Sequence, residues 1–441
     1  MNSAVTASAA PARPTFVRWR ILVLLGALSF VSYLLRGNLS IAAPSMMADL
    51  GLSEGQWGWI MSAFPLGYAL FQFAGGVWGG RVGTRKGLAV IALAWSLMIA
   101  VTAALPGAGA ASATTLVIVL MLIQFLVGAA HAPVFPLVAA SIERWFPVGG
   151  WAFPNGLTSS GLTIGLAVTA SALPWLIGTI GWRAGFLVLA PAGVAVAALW
   201  WWYARDRPEQ HAGANAAEAA LIAAGRDALE RNAAVAGGEP AWRRVLRNRD
   251  ALLVTLSYAC MNFVFFVVFS WGYYYLVKVR GFSEQDAGFL TSAQWLAAGI
   301  GAALGGWACD RLCRRLGLRR GCRWPIIVGM LASALLLLGV ALHPDPMVAA
   351  VLLGLCFFFN QTTEGPYWAT STAIGGRHAG AAGGLLNTGA NLMGFVNALL
   401  LAGLAERFGW TLAIGVGAAF AVAGAVLILF VRADRPVAQD D

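Results

Sequence analysis

The chain has 441 residues, of which 59% are hydrophobic and only 11% charged, with a mean hydropathy of +0.73. Soluble domains carry roughly 25% charged residues, so this composition excludes a soluble globular protein. The formal net charge of +10 fits either a nucleic-acid surface or a membrane topology signal, and the placement of the charges decides between them.

Residues 1–19 read as a flexible leader, followed by an apolar run of spanning length, which argues against a cleaved signal peptide. Twelve stretches reach the roughly 20 residues needed to cross a bilayer. They are 20–47, 57–81, 86–106, 113–142, 151–177 and 183–204, then 250–278, 287–310, 323–342, 347–374, 381–403 and 409–432. We number them spans 1 to 12. Each reads as helix, and none alternates as a membrane β-strand does. The fold class is all-α, with twelve transmembrane helices.

Span 1 contains Arg36 in "SYLLRGNLSIAAP", with Leu35 rather than a carboxylate beside it. At 1.5 Å per residue it lies about 22 Å along the helix from Ile21. An Arg at a helix centre costs about 2.5–3.5 kcal/mol on insertion scales, a cost offset when the side chain faces a wet cavity. A guanidinium fork there is suited to holding a carboxylate through two parallel bonds. Snorkelling to the interface is the structural alternative.

Tyr68 and Gln72 lie one turn apart in span 2. In span 4, Gln124, Gly128, His131 and Phe135 share one helical face, with His131 able to titrate near neutral pH or simply to bond a neighbouring helix. Asn262 lies in span 7. In span 10, "NQTTEGPYWA" puts Asn360, Glu364 and Trp368 on one face, and Gly365 and Pro366 are expected to break the helix. Glu364 is the one carboxylate deep in a span, so it is a candidate proton carrier. Asn387 and Asn391 repeat the one-turn pairing in span 11. All these side chains can either read a polar substrate or join helices to one another. The glycine pair Gly161 and Gly165 reads as a close-packing device.

Residues 205–249 form a polar, Arg-rich linker in which Asn215 and Glu218 have capping-box spacing. A short surface helix is expected there. The five cysteines, at 260, 309, 313, 322 and 356, lack a paired metal-site spacing and read as small packing residues, so no metal or other cofactor is expected. No nucleotide-binding spacing survives in the Gly-rich loop "GRVGTRKG".

The chain repeats once. "GLSEGQWGWIMSA" from Gly51 matches "GFSEQDAGFLTSA" from Gly281, and "GGVWGGRVGTRKG" from Gly75 matches "GGWACDRLCRRLG" from Gly305, both at an offset of 230 residues. With six spans each, the halves run in the same direction, as a parallel repeat. The units are therefore an N-terminal bundle (20–204), the linker, a C-terminal bundle (250–432) and a short tail (433–441).

Six plus six spans, a central linker and a glycine-plus-basic loop after the second span of each half resemble the major facilitator superfamily. More narrowly, "RGNLSIAAPSM", "SAFPLGYALFQFAGG", "NRDALLVTLSY" and "GPYWATSTAIGG" resemble its anion:cation symporter branch, whose members move sugar acids and other organic carboxylates, usually with protons. The resemblance implies a secondary transporter and no enzyme activity. The candidate substrate contacts read from the spans are Arg36, Tyr68, Gln72, Gln124, Asn262, Asn360, Trp368, Asn387 and Asn391, and the resemblance adds most to Arg36, Tyr68, Trp368 and Asn387. It implies gate loops at Arg81, Arg85, Lys86, Asp310 and Arg311. The chain departs from the pattern at Leu35, Gln124 and His131, where the branch carries charged residues, and at Gly80, where it carries Asp. Coupling is thereby expected to shift to Glu364 and His131. The resulting reading is a monomeric inner-membrane transporter of a small organic monocarboxylate, in symport with protons. An exporter of amphipathic compounds, a Na+-coupled or exchange carrier and a non-transporting sensor are the alternatives.

With both termini cytoplasmic, 24 of the 29 Lys and Arg residues fall in inner segments, four in outer ones, and Arg36 in a span. This is the positive-inside bias, with some attraction to anionic lipid, and it removes the nucleic-acid reading. In a Cys-free background, Gly107→Cys and Pro346→Cys should react with an impermeant thiol reagent from outside and Ala214→Cys should not. The opposite pattern rejects this orientation.

Overall fold

The computed structural model describes residues 13–107, 109, 111–147, 152–223, 241–376 and 379–434. The leader before residue 13, the linker over 224–240 and the tail after 434 lie outside the described residues. Among the described residues, ten helices are long and apolar enough to cross a membrane. One of them runs through Ala152–Tyr203, about twice the length a bilayer accommodates, and Gly181 at φ 78° splits it into spans 5 and 6. Glu54–Val82, with 29 residues, is span 2. Spans 1 and 4 are Val17–Leu50 and Ala113–Trp145, and span 3 is Thr84–Ala103. In the second half, Arg249–Phe266 opens span 7 and continues through π-helical Val267–Gly272 and Tyr275–Val279. Spans 8 to 12 are Glu284–Leu316, Leu318–Leu342, Pro346–Gly375, Ala379–Phe408 and the helix opening at Trp410.

The repeat is visible in helix boundaries. Span 4 breaks after His131 and resumes at Val134, and span 10 breaks after Gln361 and resumes at Glu364, 230 residues on. Pro136 and Pro366 stand at the same offset. A proline ring clashes with the carbonyl four residues earlier, here Ala132 and Thr362, so each break falls before its proline. In span 10 the interruption is thus at Thr362–Thr363, not at Gly365–Pro366 as the sequence suggests. Span 8 approaches this break so closely that a Cβ on Gly305 would lie 1.9 Å from the Thr362 carbonyl oxygen. Gly161 and Gly165 do serve close packing: a Cβ on either would collide with the Gly26 or Phe30 carbonyl of span 1.

The two halves meet at the end of the bundle away from the linker. Glu54 and Glu284, equivalent in the repeat, each open a helix and each reach across to the other half. Glu54 Oε1 accepts from Tyr274 Oη at 2.8 Å and from Trp410 Nε1 at 3.3 Å, and Glu284 Oε1 accepts from Ser45 Oγ at 3.0 Å. One turn further in, the equivalent glycines Gly58 and Gly288 touch the opposite half. A Cβ on Gly58 would lie 2.7 Å from Ala398 O, and one on Gly288 would lie 2.4 Å from Ala170 O. Spans 5 and 8 stay in contact as far as Ser292 and Ala167, whose carbonyl accepts from Ser292 Oγ at 2.7 Å. Beyond Thr163 and Gly299 they line a cavity.

At the linker end, Asp206 gathers the first basic loop. Its Oδ1 accepts from Thr84 Oγ1 at 2.9 Å and from Arg85 N at 3.0 Å, and it pairs with Arg144 at 3.6 Å. The carboxylate missing at Gly80 thus has a counterpart at the end of span 6, which holds the loop to its own half. Arg85 also donates to Trp201 O. In the second half, Arg319 pairs with Asp434 at 3.8 Å and Arg311 lies over the Trp307 ring.

The expected linker helix is Ala216–Ala223. Asn215 caps it, accepting from Glu218 N at 2.9 Å, but Glu218 does not complete the capping box. Its fully buried carboxylate instead accepts from Val17 N at 3.3 Å, Arg18 N at 3.1 Å and Arg18 Nη1 at 3.2 Å. It therefore caps the start of span 1, whose own N-cap Phe16 offers no side-chain acceptor. Nearby, His211 packs on Tyr203 at 4.8 Å between ring centroids. Burial, followed by the adjacent Arg205, holds its pKa below the ordinary value.

Gly317, at φ 76°, reverses the chain between spans 8 and 9 and brings Cys322 against Cys309 and Cys313, so that these three cysteines form a cluster.

Gly58→Leu or Gly288→Leu should force the far end apart. Overpacking costs about 1–3 kcal/mol, a roughly 5- to 150-fold change in a population ratio. In a Cys-free background Thr291→Cys, buried between the halves, should label correspondingly faster when either substitution is added. An unchanged labelling rate would show that these glycines do not set the closed far end.

Candidate functional site

Arg36 ends the first helical segment of span 1, and Gly37 turns the chain into the second. A Cβ on Gly37 would lie 2.8 Å from Leu166 Cδ2, so the turn packs tightly on span 5, and Thr169 Oγ1 donates to the nearby Leu34 carbonyl at 3.0 Å. The negative end of the helix dipole favours a cation here. The guanidinium lies over three aromatic faces: Phe64 at 4.6 Å, Tyr33 at 5.0 Å and Phe269, from the other half, at 5.1 Å. Nη1 donates to Tyr33 Oη at 2.8 Å, while the buried Nε has no partner. No carboxylate among the described residues comes within ion-pair distance of Arg36. Cation–π contacts of about 0.5–2 kcal/mol each support the charge without neutralising it.

Glu364 is the first residue of the resumed segment of span 10, where the positive dipole end favours a carboxylate. Its Oε1 accepts from Tyr258 Oη and from Trp368 Nε1, both at 2.8 Å. Trp368 owes its position to Gly383: a Cβ there would lie 2.9 Å from the indole ring.

Arg36 and Glu364 line one cavity of about 420 Å³ between the halves. Among the described residues of its wall, Arg36 is the one basic residue and Glu364 the one acidic residue. Tyr68, Asn262, Trp368, Asn387 and Asn391, all singled out from sequence, lie on the same wall. Asn262 Nδ2 donates to Tyr258 O at 3.0 Å and Asn391 Nδ2 to Asn387 O at 2.9 Å, so their amide oxygens remain as acceptors toward the cavity. Such a volume suits a small ligand, and the wall combines one cation, several amides and hydroxyls, and apolar rings.

Four of the sequence candidates are placed elsewhere. Asn360 is fully buried and donates to Met261 O at 3.1 Å, joining spans 10 and 7. Gln72 is off the cavity wall, and its buried Oε1 has no partner. Gln124 and His131 line a void of only about 20 Å³ that also borders Arg36. The His131 ring is surrounded by Trp95 at 4.6 Å, Phe64 at 5.5 Å, Tyr33 at 6.0 Å and Tyr68 at 6.4 Å, and neither ring nitrogen has a hydrogen-bond partner. Phe135, on the same stripe, does reach the larger cavity, because the helix break turns the stripe after His131. The gate-loop residues Arg81, Arg85, Lys86, Asp310 and Arg311 lie at the linker end, apart from the cavity wall.

Sequence reasoning missed Tyr33, Tyr258, Trp295 and Gln361, which also form the wall. Gln361 was discoverable: it is the repeat equivalent of His131. Tyr33 stands one turn before Arg36, the spacing at which a phenol can reach the guanidinium. Tyr258 and Trp295 carry no comparable signal, since aromatic residues are abundant throughout the spans.

The Major Facilitator Superfamily model matches residues 25–396. The chain is 31% identical to the probable sulfoacetate transporter SauU of Cupriavidus necator over 417 residues, covering 94% of each chain. It is 28% identical to the hexuronate transporter of Bacillus subtilis, covering 92% of each, and 28% identical to the D-galactonate transporter of Escherichia coli, covering 96% of this chain and 97% of that one. Among solved structures, a bacterial homolog of the human lysosomal transporter Spinster, inward-facing and occupied, superposes with a TM-score of 0.74 at 18% identity, covering 95% of this chain and 97% of that one. The xylose transporter XylE of E. coli, partially occluded and inward open, gives 0.74 at 13% identity, covering 95% and 98%. At these identities the two structures speak to the fold alone. The family match spans most of the chain, from span 1 into span 11: the chain belongs to the Major Facilitator Superfamily, a multi-pass membrane transporter and not an enzyme, working by alternating access between its two halves.

Proposed function

We propose that this protein carries a small organic acid across the bacterial inner membrane, binding its anionic group at Arg36. The observation that carries the reading is an unneutralised guanidinium on the wall of a closed-ended, small-molecule-sized cavity. Arg36 is tolerated in a low-dielectric site because its counter-charge arrives with the substrate. The names of similar transporters, for sulfoacetate, hexuronate and D-galactonate, support an anionic cargo. Carboxylate and sulfonate both present paired oxygens to the fork of an Arg. Tyr68, Asn262, Gln361, Asn387 and Asn391 supply partners for hydroxyl groups on the remainder of the molecule. Glu364 across the cavity disfavours a second anionic group, so monoanions are preferred. With the linker end cytoplasmic, the closed far end makes this the inward-facing state.

The protein binds and transports as a monomer in this reading, and protons are the coupling ion. Of the two titratable candidates, Glu364 is the better placed: it lies on the cavity wall, held by two donors, whereas His131 is enclosed by aromatic rings behind Arg36.

A thermal-shift screen of organic acids on purified protein tests the substrate class. A ligand at 100 times its dissociation constant stabilises by about 2.7 kcal/mol. Arg36→Ala should abolish that stabilisation and the associated uptake. A charge-assisted hydrogen bond is worth about 1.5–3 kcal/mol, so the loss in affinity should be on the order of tenfold or more per bond. Arg36→Lys should not restore it, since a point charge lacks bidentate geometry. A fully active Arg36→Lys variant, or a dicarboxylate transported as well as the best monocarboxylate, counts against the clamp.

Coupling is tested in proteoliposomes by measuring counterflow and pH-driven uptake side by side. Glu364→Gln keeps a hydrogen-bonding side chain but cannot exchange a proton, so it should retain counterflow and lose accumulation driven by a pH gradient. Wild-type accumulation by the variant would move the coupling site away from Glu364, and accumulation that follows Na+ rather than pH would replace the proton.

A further inference from the structure

The turn between spans 8 and 9 brings three thiols together. Cys309 and Cys313 are i, i+4 neighbours on the last turns of span 8, and Cys322 faces them from the first turns of span 9. The Sγ separations are 3.4 Å for Cys309–Cys322, 3.6 Å for Cys313–Cys322 and 3.9 Å for Cys309–Cys313. The approach depends on Gly321, where a Cβ would lie 2.4 Å from Cys313 N and 2.6 Å from its Sγ. Cys309 and Cys322 are buried, while Cys313 is half-exposed and leaves a way in.

We propose that Cys309, Cys313 and Cys322 form a three-thiolate site for a soft or borderline d10 metal cation, Zn2+ or Cu(I). A triangle with these edges has a circumradius of about 2.1 Å, so a cation about 0.9 Å above its plane is about 2.3 Å from all three sulfurs, the Zn–S length. That height is close to the one third of the bond length, about 0.8 Å, at which the centre of a tetrahedron lies above a three-sulfur face, which leaves the fourth position open to water or another small ligand. A cation nearer the plane has the trigonal sulfur environment that suits Cu(I), and thiolate ligands select these soft ions over Mg2+ or Ca2+. Six arginines between Arg311 and Arg323 surround the turn in sequence, and nearby positive charge favours thiolate over thiol. Binding releases the thiol protons to solvent. The turn belongs to the linker end, the side assigned to the reducing cytoplasm, where cysteines persist as thiols. A bound cation would fasten span 8 to span 9 next to the gate residues Asp310 and Arg311.

The test uses the full-length protein, purified under reducing conditions, stripped with chelator and titrated with Co2+ as a spectroscopic stand-in for Zn2+. Near-ultraviolet thiolate-to-cobalt charge transfer and tetrahedral visible bands should appear at one Co2+ per chain and vanish on adding Zn2+. A parallel titration of Cu(I) against a chromophoric Cu(I) chelator distinguishes the two natural ions. Cys309→Ser, Cys313→Ser and Cys322→Ser should each lose more than the roughly 10–100-fold in affinity that outer-shell changes cost. Cys260→Ser and Cys356→Ser should lose none. Alkylation of Cys313 in the unmutated protein should slow when Zn2+ is present, a readout that needs no variant. The proposal is overturned if no charge-transfer band forms with Co2+ and Cu(I) is not retained, if the band survives Cys322→Ser, or if protein handled anaerobically carries a Cys309–Cys322 disulfide.

Discussion

The structure is organised around a positive charge that no carboxylate among the described residues neutralises. Arg36 sits where span 1 breaks, with its guanidinium over three aromatic rings. A full ion pair would stabilise the charge strongly in such a low-dielectric setting, and would also fill the site. Three ring faces, a phenol and a helix C-terminus provide partial stabilisation instead. This leaves the charge available to an incoming anion, and it explains why the surrounding packing is so closely specified. At Gly37 the break packs against the Leu166 side chain of span 5, and Gly128 lets spans 2 and 4 approach at the Phe64 carbonyl, beside the ring that covers the guanidinium.

Repeat symmetry and function divide the residues between them. What moves or closes is duplicated: Pro136 with Pro366 at the broken helices, Glu54 with Glu284 and Gly58 with Gly288 at the far end. The charged and polar side chains of the cavity wall are not. The repeat places Phe266 opposite Arg36, Ala298 opposite Tyr68 and Val134 opposite Glu364. A cavity between two like halves thereby acquires a cationic side at Arg36 and an acidic side at Glu364. The broken fourth helix of each half is the shared device. In the first half it turns Phe135 into the cavity, and in the second it exposes Glu364 at a helix N-terminus.

Polar residues at the linker end act as ties inside each half. Asp206 binds the first basic loop, and Glu218 closes the start of span 1. Both keep their partners within the N-terminal half, so the halves remain free to rock at this end. At the far end the contacts run between halves, through a few hydrogen bonds of about 0.5–1.5 kcal/mol each and close glycine packing. Such contacts are strong enough to bias one state and weak enough to be undone by differences in ligand binding of a few kcal/mol.

By itself the sequence determined the membrane class, the twelve spans, the parallel repeat and its offset, because hydropathy and periodicity are local properties that the bilayer enforces. It also singled out Arg36 and Glu364, since an ionisable group within a span stands out against hydrocarbon whatever its neighbours. The tertiary structure decided which uncharged polar residues face the cavity. Asn360 and Asn262 look alike in sequence, yet one joins helices and the other lines the site, a difference set by how each helix is rotated in the bundle. The same holds for His131, enclosed by rings from three other spans, and for Asp206 and Glu218, whose partners are distant in sequence. The three clustered thiols depend on the reversal at Gly317 and the clearance at Gly321, and a spacing rule that counts residues along the chain does not register a contact made across a helix turn.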